Sequence, residues 1–168
     1  MDTTPSQIPK LIPLPQVASG ASEDAAAAQY RELEADILAR TIWGEARGEG
    51  KGGMEAVAMV ILNRLEVSNQ KGGYWWGNTL LDICRKPYQF SCWNQDDPNY
   101  RKLITVNESD TAFATALRVA RRALLGFIKD PTRNATHYHA RSIQPFWAKG
   151  QSPSAVIGRH VFYRLVEA

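Results

Sequence analysis

The 168-residue sequence predicts an α+β fold, mainly helical with a small C-terminal antiparallel sheet. Three observations predict it. Apolar residues recur at helical spacing from the mid-twenties to Gly126, strand-like aromatic runs are confined to the chain beyond residue 134, and capping and breaking residues punctuate both parts. A composition of 44% hydrophobic and 22% charged residues belongs to a globular chain and excludes a disordered or fibrous one.

The elements follow in order. Pro5, Pro9, Pro13 and Pro15 make residues 1–21 a flexible Pro-rich arm, leaving residues 22–168 as one domain. Ala25 to Ala28 lead into a helix through Arg40. Leu38, Ile42 and Glu45 share one of its faces, Leu33 and Ile37 extend an adjoining stripe, and Gly44, Gly48 and Gly50 read as its stop. Met54, Val57, Ala58, Ile61 and Leu65 form the stripe of a second helix, with Glu55, Arg64 and Glu66 toward solvent and Lys71-Gly72-Gly73 at its end. Asn78 is positioned to cap a short helix, Thr79 to Cys84, before Pro87. Residues 88–108 read as a long functional loop with short helical turns. Ser109 or Asp110 caps a further helix ending at Gly126, with Phe113, Ala116, Leu117, Ala120 and Leu124 buried and Arg118, Arg121 and Arg122 on a solvated face. Ala135 to Ala140 and Val156 to Leu165 read as two strands.

Several function classes drop out. No run approaches the roughly 20 apolar residues of a membrane-spanning helix, and Met1 to Gln16 lacks the basic start and apolar stretch of a secretory signal. Stable membrane insertion and classical secretion are therefore not expected. Two cysteines, Cys84 and Cys92, exclude a disulfide-dense domain and a four-cysteine zinc site; their closeness permits one disulfide or two packed thiols. The net charge of +3 is uneven: residues 1–40 set three cations against six carboxylates, net −3, which leaves +6 on the rest. A basic body suits a polyanionic partner such as nucleic acid, anionic lipid or a wall polymer. The sequence shows no recognition-helix or zinc-finger pattern, so nucleic acid is not the expected partner.

Glu45 is the most informative carboxylate. It sits at a helix C-terminus, where the macrodipole opposes ionisation, beside apolar Ile42 and Trp43. Both effects favour the protonated form that a general acid needs near neutrality. Pairing with Arg40 or Arg47 at the edge of the core accounts for the residue equally well. His137, His139 and His160 raise a zinc amidase or endopeptidase as an alternative, but no His-Glu-x-x-His or other metal motif accompanies them, and neither a metal nor another cofactor is expected. A Cys-His peptidase built on Cys84 or Cys92 has no local signature.

Two longer blocks, residues 38–49 (LARTIWGEARGE) and 53–64 (GMEAVAMVILNR), closely resemble the cell-wall hydrolase family of spore-cortex-lytic (SleB-like) type. The resemblance resumes at Gln89-Phe-Ser-Cys-Trp93, at Ala135-Thr-His-Tyr-His139 and over residues 157–164 (IGRHVFYR), so it covers about residues 35–165. It implies a lysozyme-like fold and cleavage of peptidoglycan between N-acetylmuramic acid and N-acetylglucosamine, with Glu45 at the position of the family's catalytic glutamate. A lytic transglycosylase needs that one carboxylate. A hydrolytic muramidase uses two, and Glu49 is the possible second if the helix continues through Gly48. Gln89, Phe90, Ser91, Trp93 and Tyr138 supply the aromatic and polar mixture of a glycan groove, which Trp75 and Trp76 would extend. A phage endolysin, released with phage assistance or by another non-classical route to act on the wall, and a bacterial wall-remodelling enzyme are both compatible settings. A wall-binding module without turnover is the non-enzymatic alternative.

Overall fold

The computed structural model describes residues 22–166; the arm expected over residues 1–21 lies outside them. Helix α1 spans Glu23–Ala46 and starts at Ser22, whose hydroxyl accepts from the Ala25 N–H at 3.3 Å. It runs on through Gly44 instead of stopping there. A Cβ at Gly44 would lie 2.6 Å from Cys92 Cβ, so the missing side chain is what lets the 3₁₀ turn Ser91–Trp93 seat against the helix. Helix α2, Gly50–Lys71, buries Met54, Val57, Ala58 and Ile61 as its stripe requires, and ends at Gly72 in the left-handed conformation, φ 68°. Three residues, Arg47 to Glu49, connect the two helices.

Arg64 corrects the expected solvent face of α2. It is only 6% exposed, with Nε donating to the Thr136 carbonyl at 2.7 Å and a terminal nitrogen donating to Gln89 Oε1 at 2.9 Å. Its guanidinium lies 5.4 and 5.3 Å from the ring centroids of Trp76 and Phe90. Acceptors and aromatic faces from distant segments compensate the buried charge. Burial lowers its pKa to about 10, which leaves it protonated at neutrality.

Helix α3, Leu80–Arg85, is capped by Thr79 in a capping box with Asp82, and not by Asn78, whose side-chain oxygen accepts from the Tyr74 N–H. The segment 88–108 holds the Ser91–Trp93 turn and a short helix α4, Tyr100–Thr105. Helix α5, Thr111–Leu124, is capped by Asp110, which accepts from the Phe113 N–H at 2.9 Å and from Trp43 Nε1 at 3.2 Å. The cap thereby ties α5 to α1, against which it packs. Arg118, Arg121 and Arg122 are exposed, as a solvated face requires.

The C-terminal sheet has three strands and not two. β1 is His137–Ala140; the single strand expected over 156–165 is a hairpin of β2, Ala155–Ile157, and β3, His160–Tyr163, in the order β1-β3-β2 with both pairings antiparallel. Gly158, φ 57°, and Arg159 form the two-residue connection, in the pattern of a type II′ turn. Tyr138 pairs with Phe162 and Ala140 with His160, so these four share the face toward the helices, while His137, His139 and Tyr163 share the other. Phe162 packs with Ala56, Val60 and Ala135, fastening the sheet to α2. Among the described residues no helix is long and apolar enough to cross a membrane.

Candidate active site

Glu45 stands one residue from the end of α1, half-buried on the wall of a cleft of about 510 Å³. Two elements fix its carboxylate. Tyr138, at the centre of β1, donates its hydroxyl to Glu45 Oε2 at 2.7 Å. The Cys92 thiol lies alongside, admitted by Gly44, and burial with the neighbouring Glu45 carboxylate pushes its ionisation far up. Burial and Glu45 likewise hold the Tyr138 phenol well above its ordinary value, so it remains a donor at every physiological pH. Behind Tyr138, His160 and Phe162 pack at ring-centroid distances of 4.9 and 5.6 Å, fixing the phenol from the sheet side.

The rest of the cleft comes from the sheet and from the α1–α2 junction: Glu49, Ala140, Arg141, Ser142, Arg159 and His160. Glu49 does not extend the helical face of Glu45, because α1 ends at Ala46 and Glu49 is the N-terminal boundary residue of α2. Its oxygens face the hairpin: Oε2 accepts from the Arg159 N–H at 2.9 Å and Oε1 from Arg159 Nε at 2.6 Å. Gly158 makes room, since a Cβ there would collide with Glu49 Oε2. The Arg159 backbone N–H, with its guanidinium in support, holds the Glu49 pKa below the usual carboxylate range against the opposing effect of burial. Only 7% of the Glu49 side chain is exposed, whereas Arg159 is 74% exposed.

The other expected groove residues do not line this cleft. Phe90 is 2% exposed and belongs to the core under Arg64, so it presents no face to a glycan. Gln89 is engaged by Arg64. Trp93 is half-buried, donating from Nε1 to Thr41 Oγ1 at 2.9 Å beneath Arg85, and Ser91 is exposed at the head of its turn. Tyr138 meets the site through its hydroxyl and not through an open ring face. Trp75 and Trp76 border a different cavity.

The histidines do not converge on one point. His137 and His139 lie on the outer face of the sheet, both against the Trp147 ring, and His160 lies on the inner face. Among the described residues no group of three metal-ligating side chains gathers. Burial lowers the pKa of His160, opposed by Glu49 and Glu45, and its Nδ1 is buried without a hydrogen-bond partner. Both cysteines are buried free thiols; burial raises Cys84 to about 12. Arg159 and the Arg64–Thr136 link were not assigned roles from sequence, and His160 was weighed there only as a metal ligand, although Gly158-Arg-His160 and Thr136 fall within the blocks that carried the family resemblance.

The chain is 30% identical over 136 residues to the spore cortex-lytic enzyme of Bacillus cereus, and 28% identical over 138 residues to that of Halalkalibacterium halodurans. These alignments take in 79% and 80% of the chain but only 45% and 36% of the relatives, so the chain spans less than half the length of the curated proteins it matches. Against solved structures, it matches the catalytic domain of the Bacillus cereus SleB protein with a TM-score of 0.61 and 27% identity, covering 79% of this chain and 91% of that one. It matches the catalytic domain of the germination-specific lytic transglycosylase SleB of Bacillus anthracis with a TM-score of 0.59 and 26% identity, covering 88% and 100%. The lysozyme-like, mainly helical fold with a small sheet is shared with these domains. The family described as Cell Wall Hydrolase matches residues 48–163, from just past Glu45 to the end of β3, and the chain belongs to the cell wall hydrolase family.

Proposed function

We propose that the protein cleaves the glycan strands of peptidoglycan between N-acetylmuramic acid and N-acetylglucosamine, as a lytic transglycosylase with Glu45 as its single acid and base. The observation that carries this reading is the contrast between two carboxylates on one cleft. Glu45 meets only neutral groups, the Tyr138 hydroxyl and the Cys92 thiol, whereas both Glu49 oxygens are committed to Arg159. Glu45 protonates the glycosidic oxygen as the muramyl C1–O bond breaks. It then takes the proton of the same sugar's 6-hydroxyl as O6 bonds to C1, which closes a 1,6-anhydro ring and returns Glu45 to its acid form. No water is consumed, and the nucleophile is held close because it is already part of the substrate. The naming of a Bacillus anthracis neighbour as a lytic transglycosylase supports the same outcome. The reading places its action at the wall, in phage lysis or in bacterial wall remodelling.

Mass spectrometry of digested peptidoglycan tests it. Anhydromuramic ends are expected, and replacing Glu45 with Gln should cut turnover by roughly a hundredfold or more without loss of fold. Hydrated, reducing muramic ends would support a hydrolytic muramidase, which the presence of Glu49 on the same cleft favours.

A further inference from the structure

We propose that the groove over Trp75, on the outer side of the sheet, is a second, non-catalytic binding site for peptidoglycan glycan strands, and this rests on the wall-glycan reading above. The groove is a succession of cavities. A central one of about 490 Å³ includes Tyr74, Trp75, His137, Gln151 and Arg164 in its wall. Across Trp75 it adjoins a second of about 630 Å³, and across Arg164 a third of about 260 Å³. None of the three shares a lining residue with the Glu45 cleft, whose sheet residues Ala140 and His160 lie on the inner face while His137 lies on the outer one.

Trp75 is a fixed ridge between two of these hollows. The residue is 55% exposed, yet the backbone on either side is held firmly. The Tyr74 N–H donates to Asn78, Trp76 is buried with Nε1 donating to the Arg64 carbonyl and Ser68 Oγ, and Gly77, φ 124°, packs where a Cβ would lie 2.9 Å from the Ile83 nitrogen. An indole held out in water from so fixed a backbone carries an exposure cost that a stacked ligand would recover. The surrounding chemistry suits a sugar: an aromatic face for the C–H side of a pyranose and the Gln151 amide for its hydroxyl and acetamido rim. Burial, with help from Arg64, lowers the His137 pKa to about 4, so its ring meets the ligand as a neutral group. Arg164 offers a cation to the carboxylates of the peptide stems, in keeping with the +6 charge of residues 41–168. Hollows in series on both sides of one ring fit a polymer better than a single small molecule.

The test uses purified peptidoglycan sacculi as an insoluble binding matrix and the 168-residue chain carrying Glu45→Gln, which cannot consume it. Adding Trp75→Ala should weaken retention on sacculi by roughly two- to tenfold, the range of one aromatic stacking contact, and Trp75→Tyr should restore most of it. In the otherwise wild-type chain, Trp75→Ala should leave kcat and KM on a soluble tetrasaccharide wall fragment unchanged. Should Trp75→Ala unfold the segment, Gln151→Ala and Arg164→Gln on the same cavity carry the same comparison. Undiminished retention in all three variants would overturn the site. Equal losses on sacculi and on the soluble fragment would place Trp75 in the catalytic groove and overturn it too. A wild-type chain that leaves sacculi uncut would instead overturn the functional reading on which the site rests.

Discussion

Glu49→Gln separates a strut from a second catalytic carboxylate. The wild-type side chain accepts two hydrogen bonds from Arg159, one from its backbone and one from its guanidinium. Gln retains one acceptor for the backbone N–H but turns an amide donor toward the guanidinium donor, and it removes the ion pair. Hydrogen bonds to charged groups are worth about 1.5–3 kcal/mol, and with Arg159 74% exposed the loss discounts to about 1–2 kcal/mol. That is a fall in Tm of roughly 2–8 °C for a domain of this size. The sign with pH follows from the lowered pKa of Glu49 relative to the ordinary 4.5. The stabilisation is fully present above about pH 5 and is lost as pH falls through the depressed folded value, so wild type and variant should converge in acid. Calorimetry across pH checks this, and peptidoglycan turnover at 25 °C checks the chemistry: kcat should remain within about threefold of wild type, since a difference of about 0.6 kcal/mol in barrier spans that range. A folded Glu49→Gln protein with turnover reduced a hundredfold would refute the one-carboxylate mechanism and make Glu49 the second catalytic group.

Two further outcomes follow from the same geometry. Tyr138→Phe removes the donor to Glu45 while keeping the ring against His160 and Phe162; kcat on wall fragments should fall roughly 10- to 100-fold with KM little changed, and a wild-type kcat would deny Tyr138 a positioning role. Both thiols should resist iodoacetamide at pH 8 in the native protein and react once it is unfolded in guanidinium, because both are buried and their ionisation is raised; mass spectrometry showing rapid native labelling would refute that environment.

Local signals were legible and distant ones were not. The α2 stripe and the Asp110 cap depend on neighbours within a turn or two, and they stand where spacing puts them. Gly44 read as a stop because glycine disfavours helix interiors; its reason for being there, the Cys92 side chain, lies 48 positions further on. Arg64 looked like a surface residue because only Trp76, Phe90, Gln89 and Thr136 together make its burial tolerable. The hairpin was hidden inside one strand-like run, although Gly158-Arg159 carried the turn signal. Phe90 and Trp93 could not be divided into core and groove, since an aromatic residue serves either. Glu45 was singled out from its helix-end position and its apolar face; its partner Tyr138, 93 residues away, required the fold.

The clasp between Glu49 and Arg159 also has a consequence in time. It joins residues 110 apart, and the Tyr138–Glu45 bond joins residues 93 apart, whereas α1, α2 and α5 pack using only the chain up to Leu124. Closing loops of that length costs entropy before any contact repays it, so the helices are favoured to assemble first and the catalytic setting with the last strands. A chain still emerging from the ribosome therefore holds Glu45 without its orienting phenol. Conversely, transient opening of β2 and β3 dismantles the site while the helices stay folded, and hydrogen exchange would register it as weaker protection of the Arg159 amide than of the amides in the middle of α2.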